Sequence, residues 1–279
     1  MIKIKVAILG VGGKVGKEIL ERISRDDESK FEIVGALISK NGKSSSLNGK
    51  DISEIVGLKR EIGIKATNNL YNAIQNADVI IDFSSKEITN ELIDNANEFL
   101  KNRKLIIGVT GFDEDFNEKL LNVSKNHVIF QSSNMTFGMS FLSQFIEKSI
   151  LSLTIISYKA SINETHHIGK KDAPSGTAKI LRGMIKEFTG DDIEIFSTRE
   201  GESNSIHEVK FDGIYDSISL RHEVKDKEVF ADTSLKVVEW IYGKNIKGLY
   251  HMSDYLSSVV SDEVQLSSQE GLKKRALSI

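Results

Sequence analysis

The sequence predicts an α/β protein in which a doubly wound parallel sheet comes first and an α+β unit on an open mixed sheet follows. Three observations carry that expectation. Short apolar, β-rich runs alternate with amphipathic stretches up to about residue 133, a glycine-rich turn follows the first run, and beyond residue 134 short strands succeed one another through polar links. A chain of 279 residues has room for two domains of ordinary size. With 39% hydrophobic and 28% charged residues, and no apolar run near the roughly 20 residues that span a bilayer, no membrane association is expected. A formal charge of -3 speaks against a nucleic-acid partner, which calls for a basic surface. The absence of cysteine excludes a disulfide framework, a thiolate zinc site and a cysteine nucleophile, and it fits a cytoplasmic setting.

Taken in order, the predicted parallel strands are 3–9, 32–38, 79–83, 104–109 and 128–131. The first, in MIKIKVAILG, resembles a signal-peptide core only in its apolar run, because it enters a glycine turn with no small-residue cleavage pattern. Between the third and fourth strands, SSKEITNELIDNANEFL puts Ile88, Leu92, Ile93, Ala96 and Leu100 on one helical face, with Ser84 and Glu87 spaced as a capping box. After Asn134 an apolar helix over 139–151 leads to strands at 155–163, 194–198, 208–211 and 216–223, a run typical of a mixed or antiparallel sheet. A closing helix over 229–242, with Leu235, Val238, Trp240 and Ile241, is placed to pack back on the first domain. The expected division is 1–133 completed by 228–279, with 134–227 inserted between them.

Directly after the first strand, LGVGGKVGKEI places Gly10, Gly12, Gly13 and Gly16 at a strand-to-helix junction. Val15 stands where Gly-x-Gly-x-x-Gly needs its third glycine, while Gly10, Gly13 and Gly16 match Gly-x-x-Gly-x-x-Gly. Either spacing gives a turn without side chains, through which a pyrophosphate reaches free N–H groups at the positive end of a helix. In a βαβ context this marks a Rossmann-type dinucleotide-binding domain. GVTGF at 108–112 and QSSNMTFG at 131–138 follow later strands with small polar residues, where open α/β sheets hold their ligands. The expected cofactor groove is made of Gly10, Gly13, Lys14, Val15, Ser39, Lys40, Phe83, Gly108, Thr110, Ser133 and Met135.

The second chemical segment is THHIGKKDAPSGTAK, residues 165–179, which holds two of six histidines and the only proline. Pro174 suits the first turn of a helix, and Ser175, Gly176 and Thr177 offer N–H and hydroxyl donors at its positive end. With Lys170 and Lys171 adjacent, the segment is an anion cradle suited to a small carboxylate or dicarboxylate. A histidine beside it exchanges a proton near neutral pH. No metal is expected, because His166 and His167 point to opposite sides of an extended segment and no helical i, i+4 histidine pair or cysteine completes a site. Glu164 either orients the pair or faces solvent.

ETHHIGKKDAPSGTAK resembles the signature E-x-H-H-x-x-K-x-D-A-P-S-G-T-A of the 4-hydroxy-tetrahydrodipicolinate reductases, also called dihydrodipicolinate reductases, of the diaminopimelate route to lysine. GVGGKVGKE, IDFSS, GVTGF and SSNMTFGM resemble the family's other landmarks in the same order. The resemblance implies an N-terminal dinucleotide domain completed by a C-terminal helix, an inserted substrate and oligomerisation domain, and a homotetramer. It also implies hydride transfer from NADH or NADPH to a cyclic dicarboxylate. By motif match His166 takes the proton donor's place, His167 and Lys170 contact substrate, and Gly176 and Thr177 hold a carboxylate. Two departures stand beside the likeness: EVKFDGIYDSISLRHEV is shorter than the family's segment and lacks its G-E-H element, and Lys227 replaces an arginine.

Cofactor choice is read at the end of the second strand. An NADH-selective chain carries an acid there for the ribose 2′-OH. IVGALISKNGKSSS has none between Gly35 and Asn48 and offers Ser39, Lys40, Lys43 and Ser44 instead, so NADPH is expected over NADH. The rival readings are another reductase or dehydrogenase of an amino-acid-like substrate, and a non-catalytic nucleotide sensor on the same fold.

Overall fold

The computed structural model describes residues 2–41, 44–202 and 204–261. Two sheets organise them. The first has six parallel strands: β1 (Ile4–Leu9), β2 (Phe31–Leu37), β3 (Val79–Asp82), β4 (Lys104–Ile107), β5 (Val128–Gln131) and β10 (Gly248–Tyr250). Their order is β10-β5-β4-β3-β1-β2. The chain leaves β1 for β2 on one side and for β3 on the other, so the strand order reverses beside β1, which is where such sheets open a ligand crevice at their carboxyl ends.

Both faces are covered, which explains strands apolar on every residue, such as the fully buried Ala7, Ile8 and Leu9. One face packs on α1 (Lys14–Arg25), on α2 (Ser53–Val56) and on α9 (Glu228–Tyr242). The other packs on α3 (Leu70–Ile74), α4 (Lys86–Asp94), α5 (Ala96–Phe99) and α6 (Glu114–Ser124). Through α9 the distant end of the chain rejoins the first sheet: Ala231, Leu235, Val238 and Ile241 enter its core, and Arg22 of α1 meets Asp232 at 3.2 Å. β10, three residues that no periodicity marks, adds an edge strand paired to β5. Among the described residues no helix is long and apolar enough to cross a membrane.

The second sheet, ordered β7-β6-β8-β9, contains β6 (Lys159–His166), β7 (Ile195–Arg199), β8 (Ser205–Asp212) and β9 (Ser217–Val224). β6 runs parallel to β7 and antiparallel to β8, and β8 is antiparallel to β9, so the sheet is mixed. One face carries α7 (Phe137–Ile155) and α8 (Gly176–Thr189), joined to it by Met139, Leu142, Ile146, Ile150, Leu181 and Ile185.

Four sequence expectations are corrected. The strand expected from 155 begins at Lys159, because α7 continues through Ile155: Ile150 and Leu153 still reach the core, and this packing overrides the β-branched run. The helix expected across 84–100 breaks at Asn95, whose backbone N–H and side-chain amide both donate to the Glu91 carbonyl. Its cap is Ser85 rather than Ser84, since the Ser84 hydroxyl is committed to the buried Asp82. Pro174 lies outside α8, one residue ahead of the cap, Ser175.

Candidate active site

At the reversal point Gly10 has φ +85, and a Cβ there would meet the Phe83 carbonyl oxygen at 2.5 Å. One turn on, a Cβ on Gly16 would lie 2.4 Å from the Gly10 carbonyl oxygen, so α1 sits against the turn at a distance only glycine permits. Gly13 is the N-cap of α1, no side chain caps the helix, and its first turn holds no acid. The N–H groups of Lys14, Val15 and Gly16 are therefore left for an outside acceptor. Asp82, fully buried at the end of β3, accepts hydrogen bonds from the Ser84 N–H and from the Ser84 and Thr89 hydroxyls, and so fixes the turn that carries Phe83. Burial outweighs those donors and pushes its carboxyl up. The Phe83 ring lies against Gly108, at the end of β4.

The loop after β2 reaches the same turn, because a Cβ on Gly12 would lie 2.5 Å from that of Ser44. Ser39 and Lys40 are exposed on it, and Lys40 makes no ion pair among the described residues. Lys43 lies outside the described residues.

At the N-terminus of α8 the construction is different. β6 sends Ile162, Glu164 and His166 inward by its two-residue alternation and leaves His167 part-exposed. His166 is thus the last residue of a strand, 4% exposed, rather than a loop histidine. Glu164, 1% exposed, accepts the Ser175 N–H at 3.0 and 3.1 Å and Nη2 of Arg199 at 2.8 Å. Burial alone would raise its carboxyl, but hydrogen bonds from Ser175, Arg199 and Ser197 hold it at about 2. From β8, His207 stands directly opposite Glu164, with Nε2 3.0 Å from the Ser175 hydroxyl. The His166 and His207 rings meet edge to face at 5.1 Å.

Both imidazoles are pushed toward the neutral form. Burial lowers His207 to about 4, aided by His166. Burial also lowers His166, which Glu164 opposes and Lys170 and Arg199 reinforce. His166 Nδ1 meets the Ser205 hydroxyl at 3.1 Å, while Nε2 is buried without a hydrogen-bond partner and lies 3.4 Å from Glu164 Oε2.

The helix end itself keeps donors in reserve. The Ala178 N–H is taken by the Ser175 hydroxyl and that of Lys179 by the Ser175 carbonyl, which leaves the N–H groups of Gly176 and Thr177. Thr177 faces a cleft of about 560 Å³ at the ends of β4 and β5, together with Thr110, Ser133, Asn134 and Gln144. Asn134, in the turn after β5, reaches the start of α8 across it, with Nδ2 3.4 Å from the Thr177 hydroxyl.

The structure therefore brings Gly10, Gly13, Lys14, Val15, Phe83 and Gly108 to one crevice and Thr110, Ser133 and Thr177 to the adjoining cleft. Met135 packs in the core, so only its backbone is left for a ligand. Lys170 does not reach free into the site; Asp172 holds its Nζ at 2.7 and 2.9 Å. Sequence reasoning leaves Glu164 undecided and misses Arg199, His207 and Asn134. The alternation in INETH is a signal that puts Glu164 beside His166, whereas Arg199 and His207 arrive only through strand register, and His207 lies just ahead of the segment taken as a departure. Neither a helical histidine pair nor a cysteine is needed for three donors to meet, because β8 brings His207 to Glu164 and His166 in space.

Two family models match the chain: the dihydrodipicolinate reductase N-terminus over residues 4–135 and its C-terminus over 138–256. Relatives named 4-hydroxy-tetrahydrodipicolinate reductase include one from Rickettsia bellii, 31% identical over 92% of this chain and 96% of its own. Another, from Bartonella tribocorum, is 30% identical over 90% and 97%. The fold resembles that of a dipicolinate-bound dihydrodipicolinate reductase from Paenisporosarcina sp. TG-14, with a TM-score of 0.70 and 22% identity over 90% of this chain and 98% of that one. It also resembles an amine dehydrogenase from Mycobacterium smegmatis, TM-score 0.59 and 11% identity over 88% and 94%.

Proposed function

The chain belongs to the dihydrodipicolinate reductase family, and on that premise we propose how its two helix N-termini divide the reaction between them. The activity is the nicotinamide-dependent reduction of 4-hydroxy-tetrahydrodipicolinate in the diaminopimelate route to lysine. The cofactor fits the crevice beside β1: the glycine turn is a cradle that a Cβ at Gly10 or Gly16 would fill, and the uncapped start of α1 has the donors that a pyrophosphate needs. Gly10, Gly13, Lys14 and Val15 would hold the pyrophosphate, Ser39 and Lys40 the adenosine end, and Phe83, Gly108, Thr110, Ser133 and Met135 the nicotinamide side. When bound, the cofactor supplies hydride.

The observation that carries the substrate assignment is the unspent pair of N–H groups at Gly176 and Thr177, set beside a buried cluster whose charge is fixed. That pair would take one carboxylate, and His167 and Lys170 the rest of the dicarboxylate. For Lys170 this means exchanging Asp172 for substrate. His166 is the proton donor. In the free protein burial, reinforced by Lys170 and Arg199 and opposed by Glu164, favours the neutral ring, and an arriving dicarboxylate adds negative charge that favours the imidazolium, so proton uptake would follow substrate binding. Glu164, locked by Ser175 and Arg199, orients the pair and stays ionised throughout.

The same reading gives residues 1–133 with 228–279 to the cofactor and 134–227 to substrate and assembly. It includes a homotetramer, supported by exposed apolar side chains at Phe141, Phe145, Ile155, Phe196 and Tyr215 on the second unit, which light scattering tests. It includes a cytoplasmic setting, because cofactor and substrate are charged molecules that do not cross a bilayer unaided. Coupling the chain to the synthase that makes its substrate, and following nicotinamide absorbance, tests the activity. Turnover is expected; cofactor binding without turnover would instead favour a nucleotide sensor.

A further inference from the structure

Three buried polar groups converge where the reaction described above uses two, His166 and Glu164, and leaves His207 without a part. Glu164 Oε2 lies 3.4 Å from His166 Nε2 and 3.7 Å from His207 Nε2, and one ligand atom from each residue falls within 4.8 Å of the others. The His166 contact fails as a hydrogen bond and leaves its Nε2 unpartnered, although the residue is 4% exposed. Such spacing is long for hydrogen bonds but suits donors around one ion, since bonds of about 2.0–2.1 Å in a tetrahedral site set ligand atoms roughly 3.3 Å apart.

The surroundings resemble those of a held ligand set. The Ser205 hydroxyl fixes His166 through Nδ1, and Ser175 and Arg199 fix Glu164 while taking Oε1 more fully than Oε2. Two imidazoles and a carboxylate with one position open form a set that binds zinc and its neighbours rather than magnesium or calcium. Two terms oppose binding: Arg199 and Lys170 are cations close by, of which Asp172 neutralises the second, and His207 must give up the Ser175 hydroxyl.

We propose that Glu164, His166 and His207 form a three-ligand site for one divalent transition-metal ion, and that its occupancy silences the enzyme by taking the His166 nitrogen. The binding half stands on geometry alone; the silencing half rests on the proton-donor role given above.

Calorimetric titration of the metal-free full chain with zinc chloride tests the first half. The expected result is one ion per chain at micromolar affinity or tighter, weakened about 10-fold or more by His207→Gln and unchanged by His127→Gln. Zinc-edge anomalous scattering from crystals of the unaltered protein guards against a variant that does not fold, and should place the ion between the three side chains. Binding only at millimolar zinc, binding indifferent to His207→Gln, or an ion located elsewhere would overturn the site. The second half is read from reductase rates at matched zinc occupancy: loss of turnover that a chelator restores supports it, and full turnover of the zinc-loaded chain overturns it while leaving the site standing. A chain without turnover in any condition would count against the proposed activity and not against the metal site.

Discussion

Two helix N-termini face the ligand space of this protein, and they reach the same end by opposite means. At α1 the proposed anion site is made by leaving things out: glycines close the turn, no side chain caps the helix, and no acid occupies its first turn. At α8 the end is crowded with charge, with Ser175 capping, Glu164 beneath it, Arg199 behind and two histidines at its side. A backbone site suits a group that only has to be held. A site that must also move a proton needs titratable side chains, and burying them requires partners that fix their charge.

The contrast is sharpest at His166. His166→Gln should lower kcat about 10²- to 10⁴-fold, or about 2.7–5.5 kcal/mol of barrier, while the affinity for cofactor at α1 stays put. Turnover by absorbance and cofactor binding by fluorescence titration separate the two, and near-normal kcat would remove the ring from the mechanism. Because the ring is buried, the variant should also lose stability on the order of 1 kcal/mol.

The same contrast decides what the sequence could show. Gly10, Gly13 and Gly16 fall within one short stretch of the chain, and the chemistry of α1 is local, so the motif exposes it. The cluster at α8 is assembled across three strands. His166 and Ser175 are visible in one segment, but Arg199 and His207 lie 33 and 41 residues beyond His166 and meet Glu164 only because β7 and β8 flank β6 in one particular register. Nothing local encodes that register, and the same holds for β10, whose three residues become a strand only because β5 offers an open edge. Helix ends slip for a related reason: α7 outlasts its expected limit because the core beneath it does.

Acid should divide the two halves. Each contains a buried carboxylate, and their pKa values move in opposite directions. Glu164 sits at about 2 against an ordinary 4.5, so its contribution is fully present above 4.5 and is lost as pH falls toward 2, up to about 3 kcal/mol. Asp82 is raised, so its ionised form costs stability at neutral pH and that cost fades on acidification. Between pH 4.5 and 2 the mixed sheet should therefore lose amide-exchange protection before the parallel one, and Trp240 fluorescence, reporting from α9, should lag. Simultaneous loss in both sheets would show that the hydrogen bonds from Ser175 and Arg199 to one carboxylate do not separate them.

A smaller effect tests whether α8 binds by charge as well as by backbone. Lys170→Ala should raise KM for substrate roughly 10- to 150-fold, the range of a charge-assisted hydrogen bond worth about 1.5–3 kcal/mol. Lys171→Ala should do much less, since Lys171 is exposed and solvent screens its charge. Equal effects would mean that the loop acts as a diffuse positive patch.

The weakest effect belongs to the one place where the α1 site borrows side chains. No acid lies between Gly35 and Asn48, so nothing there repels a 2′-phosphate, and Ser44 packs so close to Gly12 that the loop is held against the glycine turn. Ser39 and Lys40 are exposed on that loop, and a single exposed lysine facing a phosphate contributes about 1 kcal/mol, roughly fivefold in kcat/KM. NADPH should accordingly be favoured over NADH by a modest factor, and the factor should shrink as salt screens the lysine. Lys40→Glu should narrow or reverse the preference without altering kcat for either cofactor, because the change lies at the adenosine end and leaves the α8 cluster untouched. Equal or better kcat/KM with NADH at low ionic strength would show that this loop does not select the phosphate, and that the α1 site works by backbone alone.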